Sequence, residues 1–309
     1  MKSLQRILLP ILSLALAANL AFAAAPGSDI PQRKRQSPDA VRVVSANIRF
    51  LVPEDDGTGN EWARRKELAR DVLLAQDADI ICFQEFRKAH LDFLKNFFPD
   101  YGGAGFVDGD DGQMANMIFY SKKRFEKIAH TGAFLSPTPE VYLSTFPNAP
   151  RTARHFNRLH LKDRLTGREL MIWNTHFSAG GKRQPARDAQ AGVLADFLKK
   201  QPAAIPQIVT GDFNCTAKYN AYKSIKSAGF TDTHTALHGP ADPGYTYHKF
   251  LGHAYGKTSG KIDFIFSNAS LRPTVTEIIK DSRVTDGVRR YPSDHYFLSA
   301  EFEYAKKRP

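Results

Sequence analysis

Apolar residues in this chain come in short runs that repeatedly end on a polar residue able to bind metal or phosphate. Val41-Arg-Val-Val-Ser-Ala ends at Asn47, Ala78-Asp-Ile-Ile-Cys-Phe at Gln84-Glu85, Glu169-Leu-Met-Ile-Trp at Asn174-Thr175-His176, and Pro206-Gln-Ile-Val-Thr at Gly211-Asp212-Phe213-Asn214. Two more runs lie late in the chain: Lys261-Ile262-Asp263-Phe-Ile-Phe, and Pro292-Ser293-Asp294-His295 ahead of Tyr296-Phe-Leu-Ser-Ala-Glu-Phe. Such β-branched and aromatic runs read as buried strands. Between them the spacing predicts helices. Asn60–Gln76 sets Trp62, Ala69, Val72 and Leu73 toward one stripe, with Thr58 and Glu61 at capping-box spacing. Pro185–Lys200 sets Ala189, Val193 and Phe197 beside Gln190, Leu194 and Leu198 in i, i+4 rows, and Ala221–Ala228 is stopped by Gly229. Strands apolar on both faces need cover, so the expected architecture is layered α/β: helices outside, sheets inside, polar strand ends gathered at one edge.

A single strand-terminal Asp or Asn is ordinarily a turn former. Here the ends of six runs bring together Asn47, Glu85, His176, Asp212, Asn214, Asp263, Asp294 and His295. Hard oxygen ligands, amides and imidazoles are the parts required to hydrolyse a phosphate ester with a hard cation.

Composition narrows the picture further. With 42% hydrophobic residues in 309, the chain carries enough apolar material for a large core, which excludes wholesale disorder and rod-like folds. A formal charge of +11 favours a polyanionic partner or an anionic surface. Two cysteines exclude a disulfide scaffold and a four-thiolate zinc site; Cys82 falls inside a strand and Cys215 just past an edge, so both are expected free. Lys2 and Arg6, the apolar run Ile7–Phe22 and Ala21-Phe22-Ala23 predict a cleaved signal peptide over residues 1–25 and a secreted or periplasmic product. The run is short for a membrane span and is broken by Pro10 and Asn19, so no transmembrane segment is expected in the mature chain. Residues 26–40, with Arg33-Lys34-Arg35, read as a flexible leader with a solvated basic triplet, 41–305 as one domain, and 306–309 as a basic tail. His234, His238, His248 and His253 fit no zinc spacing and read as solvated loop residues, with Tyr245–His248 near the cleft.

The blocks SANIRF, ICFQEF, NTHF, TGDFN, KIDFIF and YPSDH, in that order between Val41 and Phe302, resemble the endonuclease/exonuclease/phosphatase superfamily. The resemblance implies a four-layer α/β/β/α sandwich with the active site at one edge of the two sheets, and metal-dependent hydrolysis of a phosphoester by in-line attack of water. It assigns Glu85 as the main metal carboxylate, with Asn47 beside it and Asp294 near the metal or nucleophile. Magnesium suits such oxygen ligands, as does manganese. Asp212 would orient or deprotonate the attacking water and Asn214 hold a phosphate oxygen. His295, oriented by Asp263, would contact the phosphate and stabilise the transition state or pass a proton, and His176 would donate a hydrogen bond to it. Arg151, in Pro150-Arg151-Thr152, stands where relatives often carry a phosphate-facing arginine, in a stretch that also holds Arg154, His155 and Arg158. Asn116 is a further substrate contact, with a strand-edge role as its alternative.

The shared blocks do not select a substrate. The 5-phosphatase branch carries a tryptophan before Gly-Asp where this chain has Thr210, abasic-site enzymes an arginine where it has Lys261, and no apolar membrane-inserting hairpin stands out. A secreted nuclease or phosphodiesterase acting on nucleic acid is favoured. The alternatives are a sphingomyelinase, a phosphoinositide or sugar-phosphate phosphatase, or a non-catalytic polyanion-binding module, the last weakened because every expected acidic position is filled. No protein partner is inferred.

Overall fold

The computed structural model describes residues 28–105, 116–147, 152–257 and 260–306. The signal segment, Arg151 and residues 307–309 lie outside them. In chain order the elements are β1 (Val41–Asn47), α1 (Trp62–Ala75), β2 (Ile80–Gln84), α2 (Lys88–Leu94), β3 (Tyr101–Ala104), β4 (Ile118–Ser121), β5 (Phe125–Phe134), β6 (His155–Asp163) and β7 (Glu169–His176). There follow α3 (Gln184–Lys199), β8 (Gln207–Asp212), α4 (Asn220–Ser227), β9 (Phe230–Asp232), α5 (Thr233–His238), β10 (Asp263–Asn268), β11 (Leu271–Ile279), β12 (Arg283–Thr285), β13 (Val288–Arg290) and β14 (Phe297–Tyr304).

Strand periodicity sorts the apolar side chains into three cores. Along β1, Val43 turns to the gap between the sheets and Val44 to the helices; along β2, Ile80 and Cys82 face inward while Ile81 and Phe83 face α1 and α2. In the second sheet Ile208 and Ile265 meet the inner faces of β1 and β2, and Val209, Phe264 and Phe266 pack under α3 and α4. Both faces of both sheets are therefore covered, giving the expected α/β/β/α sandwich. One sheet runs β11-β14-β1-β2-β4-β3 and the other β5-β6-β7-β8-β10-β9, with β12 and β13 forming a separate hairpin. Each is mixed: β1 and β2 are parallel, as are β7 and β8, and antiparallel strands flank them. Gly211 allows the β7–β8 contact, since a Cβ there would stand 2.3 Å from the Thr175 carbonyl oxygen.

Three local expectations need correction. The Thr58–Glu61 capping box does not form: Glu61 is the N-cap and makes no side-chain cap bond, because Thr58 Oγ1 donates to the Asp55 carbonyl. Residues 28–40 are docked on the domain. Ile30 is buried in the α1 core, Arg33 bonds Asp281 and Glu277, Arg35 bonds Asp77 and Asp79, and buried Arg42 donates to the carbonyls of Arg33 and Lys34 while paired with Glu301. Carboxylates at the rim hold two members of the triplet, and only Lys34 is exposed. His248 is fully buried against Tyr291 and Tyr296; the solvated reading fits His238 and His253, which are exposed. Cys82 and Cys215 are both free, in cores on opposite faces of the second sheet. Among the described residues no helix is long and apolar enough to cross a membrane.

Candidate active site

The parallel strands point the same ends of both sheets at one edge. Asn47 registers with Gln84 in the first sheet; in the second, His176 and Asp263 both register with Asp212. Just past those ends the backbone turns sharply: Arg49, Glu85 and Asn214 have φ of 58°, 59° and 51°, left-handed values rarely taken by residues other than glycine. Such strain gathers at sites where the surroundings over-determine a side chain. Here buried Arg65 supplies part of that determination. Its guanidinium donates to the carbonyls of Ile48, Arg49 and Pro292, stapling the end of β1 to the Pro292–His295 loop, and Ser293 Oγ donates to the Asn47 carbonyl.

Asn47 joins the two sheets. Its Nδ2 stands 3.2 Å from Glu85 Oε1 and 3.0 Å from Asp212 Oδ2, and its Oδ1 accepts the Arg49 amide. Glu85 Oε2 accepts the Phe50 amide at 3.0 Å. Burial and then the nearby Asp294 charge raise the Glu85 pKa. Arg49 Nη1 lies 3.7 Å from Asp294 Oδ2. Two buried carboxylates near enough for one charge to raise the pKa of the other, with the Asn47 amide bonded to Glu85, offer oxygen donors suited to a hard divalent cation.

Asp212 Oδ1 accepts the Asn214 amide at 2.7 Å, and its Oδ2 lies 3.4 Å from His176 Nε2 and 3.8 Å from His295 Nε2. His295 Nδ1 is 2.9 Å from Asp263 Oδ2. Asp212, Asp263 and His295 thus form one buried group. Because the Asp263 carboxylate and His295 Nδ1 already bind each other, this group reads as an aspartate beside a His–Asp dyad rather than as three ligands of one ion. Burial alone would lower the His295 pKa, yet the carboxylates of Asp263, Asp212 and Asp294 hold it well above the usual value. Burial and the Asp263 charge move Asp212 upward. Thr246 Oγ1 accepts the amides of Ile262 and Asp263, and the Tyr247 ring lies 5.0 Å from His295, so the Tyr245–His248 segment does border the site.

Asn47, Glu85, His176, Asp212, Asn214, Asp263, Asp294 and His295 are therefore brought to one edge, as the sequence indicates. Asn116 is buried and donates to the His155 carbonyl at 2.7 Å, a contact that fixes the start of β6. Of the described arginines in the stretch around Arg151, the one brought to the site is Arg154, buried and 3.0 Å from His176 Nδ1. Nothing in the local sequence distinguishes it from Arg151 or Arg158. Arg65 was equally hidden, because its role depends on a contact with Pro292 more than two hundred residues away.

A buried aspartate facing two imidazoles, with a second pair of carboxylates alongside and strand ends from both sheets contributing, is an arrangement suited to phosphoester chemistry on a layered α/β fold. Its mixed sheets and flanking helices match solved members of that class. The chain belongs to the endonuclease/exonuclease/phosphatase family, whose family model matches residues 44–295. It is 27% identical to mouse (Mus musculus) nocturnin over 271 residues, covering 79% of this chain and 59% of that protein, so it spans only part of that relative's length. It is 24% identical to the Ccr4 3'-5'-exoribonuclease subunit of the Ccr4-Not complex from Yarrowia lipolytica, over 80% of this chain and 44% of that one. A solved mannosyl-6-phosphatase from Bacteroides thetaiotaomicron superposes with a TM-score of 0.76 at 27% identity, covering 85% of this chain and all of that one.

Proposed function

We propose that this protein is an exported, divalent-cation-dependent phosphodiesterase that cleaves nucleic acid by in-line attack of water on phosphorus. The observation that carries the hydrolytic part is the position of Asp212 Oδ2, within 3.0 Å of Asn47 Nδ2, 3.4 Å of His176 Nε2 and 3.8 Å of His295 Nε2. Asp212 takes the proton of the attacking water as the new O–P bond forms and the ester O–P bond breaks, the departing oxygen leaving with a proton from solvent. A raised pKa makes it a stronger base for that transfer. His295, held protonated and oriented by Asp263, offsets the charge gathering on the phosphoryl oxygens, and His176 and Asn214 donate to the others. Glu85, Asp294 and Asn47 would hold the cation. When bound, it neutralises phosphoryl charge and orients the leaving group, and the oxygen donors favour magnesium or manganese over zinc.

Nucleic acid is favoured by the rim. Tyr247 and Tyr255 stand edge to face at 6.0 Å beside His295, Lys257 lies over the Tyr255 ring, and Arg49 and Arg87 both lie over Phe50. Aromatic faces interleaved with cations suit a single strand with stacked bases. The net charge and the exoribonuclease named among the relatives support the same substrate. A sugar-phosphate monoester is the second reading, supported by the full-length match to the mannosyl-6-phosphatase. Export rests on the charged start, apolar run and Ala21-Phe22-Ala23 site. The test is hydrolysis of DNA, RNA, sphingomyelin, phosphoinositides and hexose 6-phosphates with magnesium and with chelator. Chelator-sensitive cleavage of DNA or RNA is expected, hexose-phosphate turnover alone selects the second reading, and binding of polyanions without turnover overturns both.

A further inference from the structure

His176 meets a hydrogen-bond donor at each ring nitrogen. Arg154 Nη1 is 3.0 Å from Nδ1, and Asn214 Nδ2 is 3.0 Å from Nε2. The Asn214 amide is oriented by a second bond, Nδ2 donating to the Phe177 carbonyl at 3.2 Å; exchanging its oxygen and nitrogen would set two oxygens against each other. A neutral imidazole accepts at one nitrogen only. Burial and then the Arg154 charge keep this ring unprotonated, so the two donors compete for a single acceptor.

The competition is unequal. A guanidinium has donors only and stays charged, and its bond to Nδ1 is charge-assisted. Arg154 is also buried, its Nε finds no partner among the described residues, and the ring is the side-chain partner its guanidinium has there. Asn214 keeps the Phe177 carbonyl whichever way the ring is protonated. We infer that Arg154 sets the tautomer of His176, with Nδ1 accepting and Nε2 carrying the proton.

In that state Nε2 carries its proton beside Asp212 Oδ2, 3.4 Å away, at the edge where the phosphate would lie. Arg154 is then a positioning residue: it acts through His176 and determines whether the ring presents a donor or an acceptor to the substrate. That consequence rests on the phosphoester reading above, whereas the tautomer itself does not. The opposite tautomer would accept from Asn214 and turn a lone pair toward an anion.

Long-range ¹H–¹⁵N correlation spectra of the ¹⁵N-labelled, metal-free protein report the protonated nitrogen directly, with a His176→Gln variant assigning the signal. The wild type is expected to show Nε2–H, and Arg154→Lys, which can only donate, to retain it. Arg154→Met leaves Asn214 as the only donor and is expected to switch the ring to Nδ1–H. Arg154→Gln, whose Oε1 can accept from Nδ1–H, should do the same and serves if the methionine variant fails to fold. With magnesium and bis(p-nitrophenyl) phosphate, kcat should fall on the order of 10²-fold in the switched variants with KM little changed, the size typical of losing one donor to a developing oxyanion, and recover in Arg154→Lys. Nδ1–H in the wild type, or an Nε2–H ring in folded Arg154→Met and Arg154→Gln, overturns the inference. Failure of hydrolysis with the expected tautomers would instead overturn the phosphoester reading.

Discussion

Asn47 and Asp212 lie 165 positions apart and on different sheets, yet the Asn47 amide donates to Asp212 Oδ2 at 3.0 Å. The bond joins the carboxylate pair suited to a cation with the aspartate that faces the two histidines. The first sheet carries the carboxylate pair and the second the aspartate, so the site is complete only where the two sheets meet.

Glu85 and Asp294 are buried anions whose mutual repulsion a cation would relieve. Magnesium should therefore raise the melting temperature of the wild type, since it binds only the folded site. Glu85→Gln keeps the shape and removes the charge, so calorimetry should show the variant melting at or above the metal-free wild type, with the magnesium-dependent gain and turnover both greatly reduced. An undiminished magnesium shift in folded Glu85→Gln would place the cation elsewhere.

Asp212→Asn and His295→Ala each remove a group placed for proton transfer or charge stabilisation. Steady-state kinetics should show kcat falling by roughly 10²–10⁴-fold with smaller changes in KM. His248→Ala makes a useful contrast. Its ring is enclosed by Tyr291 and Tyr296, so the variant should lose stability in denaturant titrations while its folded fraction keeps most of its kcat.

Tyr247 stands half-buried beside His295 without contributing a charge to it. Tyr247→Ala should raise KM for single-stranded DNA on the order of tenfold, from loss of about 1–3 kcal/mol of stacking, and leave KM for a small phosphodiester nearly unchanged. Rates on subsaturating DNA should also fall steeply with salt at fixed magnesium, through counterion release. A salt-insensitive rate would count against a polyanionic substrate.

Burial, and then the Arg154 charge, lower the His155 pKa from 6.5 to about 4. The unfolded chain therefore binds a proton that the folded chain refuses throughout that interval, so stability falls as pH drops from about 6.5 to about 4 and is level above it. The full contribution is on the order of 3 kcal/mol. Urea midpoints across this range should show a shallower acid slope for His155→Gln than for the wild type.

The strands that carry the site (β1, β2, β7, β8, β10 and β14), the three principal helices and the polar strand ends were legible because each depends on local composition and period. Val41–Asn47 and Glu169–His176 match their expected strands, and α3 begins at Gln184 where the pattern gives Pro185. The contacts that assemble those ends were not legible. Arg65 reaches Pro292 across 227 positions, and Arg154 is told from Arg158 by its partner, His176 for the one and Gln201 for the other. The leader was misread for a related reason: a basic triplet looks solvated until the partners Asp77, Asp79, Asp281 and Glu277 are brought beside it.

One layer below the site, Gln84 Nε2 donates to Asn174 Oδ1 at 2.7 Å, and Asn174 Nδ2 donates back to the carbonyls of Phe83 and Met117. These bonds act as a ruler between the sheets. The gap they set is the gap across which Asn47 reaches Asp212, so the reactive groups inherit their spacing from amides that no substrate touches. Exchanges of bulk in the inner core, such as Ile172 or Ile265, would be felt at the mouth as a change of span, and rate would drift while every reactive side chain stayed the same. A site built this way can be retuned from its interior.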